Sequence, residues 1–241
     1  MENQFDPRQT GVNAATVGVP RAARDAGLRS YMLSVYNYMA SGVLLTGIVA
    51  MLFANSGLAA QVMATPLRWL IILAPLGFVM TMSFGLHRMS TGTLQALFWS
   101  FAVAMGLSMS TIFLVYTEMS IAQTFFAVAA GFGGLSLWGY TTKKDLSGWG
   151  TFLIMGVVGL LVAMLINLFL QSPAMMLAIS AIGVLVFAGL TAYDTQKIKS
   201  MYAHVAGTDM MGKVVIMGAL NLYLDFINMF MFLLSFMGDR R

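Results

Sequence analysis

Seven apolar runs, each close to the ~20 residues a helix needs to cross hydrocarbon, constrain this chain more than any other feature. They cover residues 35–53, 66–86, 94–115, 121–140, 149–170, 173–198 and 210–237. Membrane-spanning strands are about half that length and alternate in polarity, so a β-barrel is excluded. Only 9% of the 241 residues are charged, against about 25% in soluble domains. The expected fold is therefore an all-α membrane protein, a seven-transmembrane-helix bundle over residues 31–238. Residues 1–30 read as a polar, disordered cytoplasmic tail, with no apolar run beside its arginines to suggest a cleavable signal. Residues 54–65 read as an uncharged link. Pro75 is expected to kink the second span because proline removes a backbone donor. The sixth span is expected to run on as a helix beyond the membrane.

Orientation follows from the basic residues. Seven crossings place Arg8, Arg21, Arg24, Arg29, Arg88, Lys143, Lys144, Lys197, Lys199 and Lys213 on the side of the N-terminus, and only Arg68, Arg240 and Arg241 on the other. Ten against three puts the N-terminus in the cytoplasm. Arg240 and Arg241 then fit poorly outside, which leaves open a last segment that re-enters instead of crossing. The net charge of +4 is explained by these helix ends and points to topology, not to nucleic acid. Cysteine is absent, which excludes disulfides, thiol nucleophiles and thiolate metal sites.

Two spans carry a carboxylate inside an apolar stretch: Asp194 in the sixth and Asp225 in the seventh. Such a residue costs about 2.5–3.5 kcal/mol on insertion scales and usually marks a pathway or a proton site. If the two spans form an antiparallel hairpin turning near Asp209 and Met210, both aspartates sit at about the same depth. Asn221, Asp225 and Asn228 recur at spacings of four and three and make one helical stripe. Thr191, Asp194 and Ile198 share a face of the sixth span, with Thr195 beside it. Two adjacent carboxylates cannot both ionise cheaply, so the pair titrates as a unit. Singly protonated, it ties the helices together; deprotonated, it repels itself and attracts a cation. Asp194, Asp225 and Arg88 are thus candidates for pH sensing and gating, and Asn221, Asn228 and Thr191 for lining a pore. Two carboxylates and two amides are fewer ligands than the six to eight oxygens calcium prefers, so any calcium contact at Asp194 and Asp225 is weak and transient. A water-filled vestibule from the cytoplasm would reconcile Asp194, close to Lys197, with the greater depth of Asp225. The bland alternative is a buried polar cluster that only fixes helix register.

Other features have plainer readings. Gly42 and Gly47, Gly131 with Gly133 and Gly134, Gly156 and Gly159, and Gly183 and Gly189 suggest close helix packing. The 22 methionines are flexible filler. His87 and His204 read as interfacial residues, Glu118 as an outer-side carboxylate, and Lys143-Lys144-Asp145 as a solvated loop that anchors topology.

Three motifs carry a family resemblance: KKDLS at 143–147, AYDTQKI at 192–198 and LYLDFIN at 222–228. With their order and the seven-span layout, the chain resembles a bacterial member of the Bax inhibitor 1 family from about residue 31 to 237. The resemblance implies a bundle whose C-terminal helix is central, and a pH-sensitive calcium leak closed by a hydrogen-bonded aspartate pair at Asp194 and Asp225. It also implies a second-helix arginine latch, for which Arg88 is the candidate, with His87 as the alternative. An acidic residue found within the second helix of some relatives has no counterpart in residues 66–86. The implied setting is the bacterial inner membrane.

The leading expectation is a leak for calcium or other cations, with the lipid bilayer as surroundings, no cofactor and no enzymatic activity. A regulatory protein that binds a membrane-embedded protease, with the polar tail as its handle, is the alternative. An intramembrane aspartyl protease is disfavoured because Leu222, Tyr223 and Leu224 precede Asp225 where such enzymes have Gly-x-Gly. A retinal protein is excluded because the interior of the seventh span has no lysine.

Overall fold

The computed structural model describes residues 21–241, without the side chain of Arg21; residues 1–20, most of the expected tail, lie outside it. The chain runs α1 (Arg21–Asn55), α2 (Leu58–Met63), α3 (Leu67–Gly85), α4 (Thr91–Met109), α5 (Ile112–Val115), α6 (Glu118–Thr141), α7 (Ser147–Leu170), α8 (Pro173–Val205) and α9 (Met210–Met237). Seven of these helical stretches are long and apolar enough to cross a membrane, with α4 and α5 together making one. This is a multi-pass membrane protein. In lipid a helix satisfies its own backbone, which is why spans of this composition take no other form.

Local chemistry marks the ends. Ser90, Thr117 and Ser172 each cap a helix by accepting from the backbone N–H three residues on, at 3.1, 3.3 and 3.3 Å. Pro173 occupies the first turn of α8, where its missing donor costs nothing. Gln171, at φ 50°, and Gly207, at φ 74°, turn the chain after α7 and α8. Several expected bounds shift. Helix α1 begins by Arg21 instead of residue 35, so residues 21–30 belong to it and not to a disordered tail. The charged residues there cannot sit in hydrocarbon, but nothing in them stops a helix continuing past it. The uncharged link contains α2, and α3 runs uninterrupted through a buried Pro75. The sixth span continues to Val205, as its sequence suggests.

Helix α9 is the centre. It packs against α1, α4, α6 and α8, while α3 lies on α4 and α7 on α8. Of the most apolar stretch of each span, 72% is buried in α9 but only 11–39% in the others. The peripheral helices leave Leu70, Phe84, Phe152 and Phe169 facing outward, as a lipid-facing surface requires. The far end of α9 meets the α5–α6 link: Thr117 N–H donates to Asp239 O at 3.0 Å and Arg241 N–H to Val115 O at 2.9 Å. Arg240 lies 5.8 Å over the Tyr116 ring, and Arg241 pairs with Glu118 at 3.4 Å. The last segment therefore traverses the bundle end to end. Its terminal arginines, which fit poorly as free charges there, are held by partners.

The glycines divide. An added Cβ at Gly42, Gly156, Gly183 or Gly189 would press on Phe98, Val186, Phe232 or Leu153, so close packing explains these four. At Gly47, Gly131, Gly133, Gly134 and Gly159 it would meet nothing within 4 Å. Packing does not explain those five. Gly139 and Gly106, which the spacing did not single out, face backbone of α8 and α1 respectively.

Candidate functional site

Helices α8 and α9 form the most extensive helix pair in the fold, joined by the short turn at 206–209. Two glycines set their approach. Gly218 leaves room for Ile198, whose side-chain atoms would lie 3.3 Å from an added Cβ, and Gly183 receives the Phe232 ring. Between these two contacts, Asp194 and Asp225 come within side-chain hydrogen-bonding reach of each other.

Asp225 is 4% exposed and Asp194 half-buried. Asp225 Oδ2 is enclosed and has no donor among the described residues. An ionised carboxylate only accepts hydrogen bonds, whereas a protonated one also donates. The pair can therefore bond directly only by holding a proton. Lys197, next along α8, is close enough to act on Asp194 electrostatically, though its ammonium lies exposed, 5.8 Å over the Tyr193 ring.

The other candidates are placed unevenly. Thr191 is fully buried beside the pair, but its hydroxyl donates to Phe187 O of its own helix at 2.8 Å. Asn228 is half-buried and likewise donates to Leu224 O at 2.8 Å; Asn221 is half-buried. Thr195 is buried with no partner for its hydroxyl among the described residues. Arg88 and His87 lie exposed in the turn after α3, and Arg88 makes no ion pair with either aspartate. The structure does not bring it to the site. Among the described residues no cluster of three or more His, Cys, Asp or Glu could hold a metal. Four cavities along α1, α6, α7 and α8 include neither aspartate, and none of these four is the expected vestibule.

Two polar links escaped sequence reasoning. Tyr223, two residues before Asp225, is fully buried, and its hydroxyl lies 2.7 Å from that of Thr46 on α1. Thr46 donates to Ala102 O of α4 at 2.9 Å, so Tyr223 is the donor to Thr46. The second link is Gln196, whose side chain accepts from Leu146 N–H and donates to Lys144 O, both at 2.8 Å. The lysine loop is thus docked on α8 through its backbone, while Lys143, Lys144 and Asp145 are exposed, as a solvated loop requires. Within it Asp145 is held below the usual carboxylate range by hydrogen bonds from the Ser147 side chain and backbone. Lys199 completes this end by donating to Tyr140 O at 2.6 Å. The signal for the Gln196 link was the joint presence of KKDLS and YDTQ; for Thr46 there was none.

Comparison with known proteins places the chain in a family. The family model described as "Inhibitor of apoptosis-promoting Bax1" matches residues 28–241. The Rickettsia prowazekii protein RP147 is 49% identical, over 90% of this chain and 92% of its own length. The Escherichia coli inner membrane protein YbhL is 47% identical, over 90% of this chain and 94% of its own. A Caulobacter vibrioides protein is 44% identical, over 90% and 91%. Since the match takes in every membrane-spanning helix and all three motifs, the chain belongs to the Bax inhibitor 1 family.

Proposed function

We propose that the protein is a pH-sensitive leak for calcium or other cations, gated by a proton shared between Asp194 and Asp225. The observation that carries this reading is the meeting of two carboxyls inside a close-packed hairpin, one of them enclosed and without another donor among the described residues. With one proton the pair bonds α8 to α9 and the passage stays shut. Without it two like charges adjoin in a low-dielectric interior, which drives the helices apart and draws a cation between them. The ion keeps most of its water, since two carboxylates fall short of a calcium cage. Asn221 and Asn228 supply further oxygens on the stripe. Arg88 serves as a latch only if the end of α3 moves inward.

The inner-membrane name of YbhL and the excess of basic residues at one end support an inner-membrane setting with a cytoplasmic N-terminus. Proteoliposome calcium flux across a pH series tests the reading. Flux that is unchanged in Asp194→Asn and in Asp225→Asn removes it. The protease-regulator alternative rests on a tail mostly outside the described residues; retained co-purification after its deletion would end that alternative.

A further inference from the structure

Helices α1 and α6 both pack on α9 but barely touch each other. Between them run three adjoining cavities of about 400, 430 and 360 Å³. The first two share Tyr36 and Phe132 as walls, and the second and third share Val43, Phe125 and Phe226. The result is one cleft, floored by α9 in its second and third parts and open sideways past exposed Leu33, Leu44 and Leu137. From Tyr140 to Phe125 along α6 it extends about 22 Å, more than half of the ~30 Å hydrocarbon. Gly133, whose Cβ position is open, widens it.

The cleft has a polarity profile. Arg29 stands exposed at its α8–α9 end and forms no ion pair among the described residues. About a turn below Tyr140 along α6, Ser136 borders the cleft; it is 4% exposed, and its enclosed hydroxyl, which reaches a ligand only by turning about its Cα–Cβ bond, has no partner among the described residues. Beyond Ser136 the walls are apolar, apart from Thr46 whose hydroxyl is already bonded, until Asn55 and Glu118 at the opposite end. A cation, then an unused hydroxyl, then a long apolar slot match a phospholipid's phosphate, ester carbonyl and acyl chain in that order.

We propose that the α1–α6 cleft binds an anionic phospholipid, with its phosphate at Arg29, an ester carbonyl accepting from Ser136 and one acyl chain along α9. This is independent of the aspartate gate. A transmembrane helix of a partner would fill the slot but would leave Arg29 and Ser136 without matching groups.

The test reconstitutes the full chain in phosphatidylcholine vesicles and measures motionally restricted spin-labelled phosphatidylglycerol and phosphatidylcholine by electron spin resonance. The wild type should hold phosphatidylglycerol about fivefold more tightly, the contribution of one arginine beside an anionic lipid surface. Arg29→Gln should erase that preference while retaining restricted phosphatidylcholine. Gly133→Phe should release both lipids, and Ala129→Phe, lower in the cleft, repeats the test should Gly133→Phe not fold. Equal retention of the two lipids by the wild type overturns the proposal. So does undiminished phosphatidylglycerol in the filling variants, including the case in which they alter only the mass of the assembly and reveal a protein interface instead.

Discussion

The side-chain carbonyl of Gln196 accepts from the backbone N–H of Leu146 at 2.8 Å, while its amide donates to Lys144 O two positions earlier in the loop. A residue two positions from Asp194 thereby fixes the loop that joins α6 to α7. This contact gives two sequence motifs fifty residues apart a common physical cause.

Gln196→Ala should cost about 1–2 kcal/mol, because Leu146 N–H is partly buried and loses its acceptor. Gln196→Glu keeps that acceptor and gives up only the donor to Lys144 O, so it should cost less. Thermal unfolding in detergent ranks the two, and hydrogen exchange at residues 142–148 should quicken in the alanine variant.

Thr46 and Tyr223 make an asymmetric pair. Tyr223→Phe removes one buried hydrogen bond but leaves Thr46 bonded to Ala102 O, a loss of about 1 kcal/mol or less. Thr46→Val strands the Tyr223 hydroxyl and should cost about 1–3 kcal/mol. Equal melting temperatures for the two variants would contradict the donor assignment.

For the aspartate pair, the sign of the pH response follows from which state holds the proton. The singly protonated pair joins α8 to α9, so flux should rise as pH rises through the loss of that proton. Asp225→Asn supplies an amide donor to Asp194 that pH cannot remove. It should flatten the profile and hold flux near its low-pH level. A profile that keeps its midpoint in this variant would place the titrating group elsewhere.

Two glycines of α6 offer a contrast within one helix. Gly139→Ala pushes a methyl into the Ala192 backbone of α8 and should cost about 1–3 kcal/mol as overpacking. Gly131→Ala meets open space and should be neutral or stabilising by up to ~1 kcal/mol through helix propensity. Detergent melting curves that move the same way in both would refute this division.

The amino-acid sequence by itself determined the number of spans, their helical form and the two carboxylates buried in them. Each follows from the length of an apolar run or the cost of a charge inside one, and both are local quantities. The meeting of α8 and α9 in one hairpin was also legible, although the chain turns at 206–209 and not at Asp209 and Met210, so Asp194 stands nearer the turn than Asp225. Hydropathy did not say which helix lies at the centre, since α9 is no more apolar than most of its neighbours; the family resemblance implied α9, and the packing around it bears that out. Tertiary structure alone separated glycines that admit a neighbour, such as Gly183, from those that border a cleft, such as Gly133, because both look identical along the chain. It also left Arg88 on the surface and gave Tyr223 a partner on α1. Contacts between distant segments depend on how whole helices pack, and spacing along one helix carries no record of that.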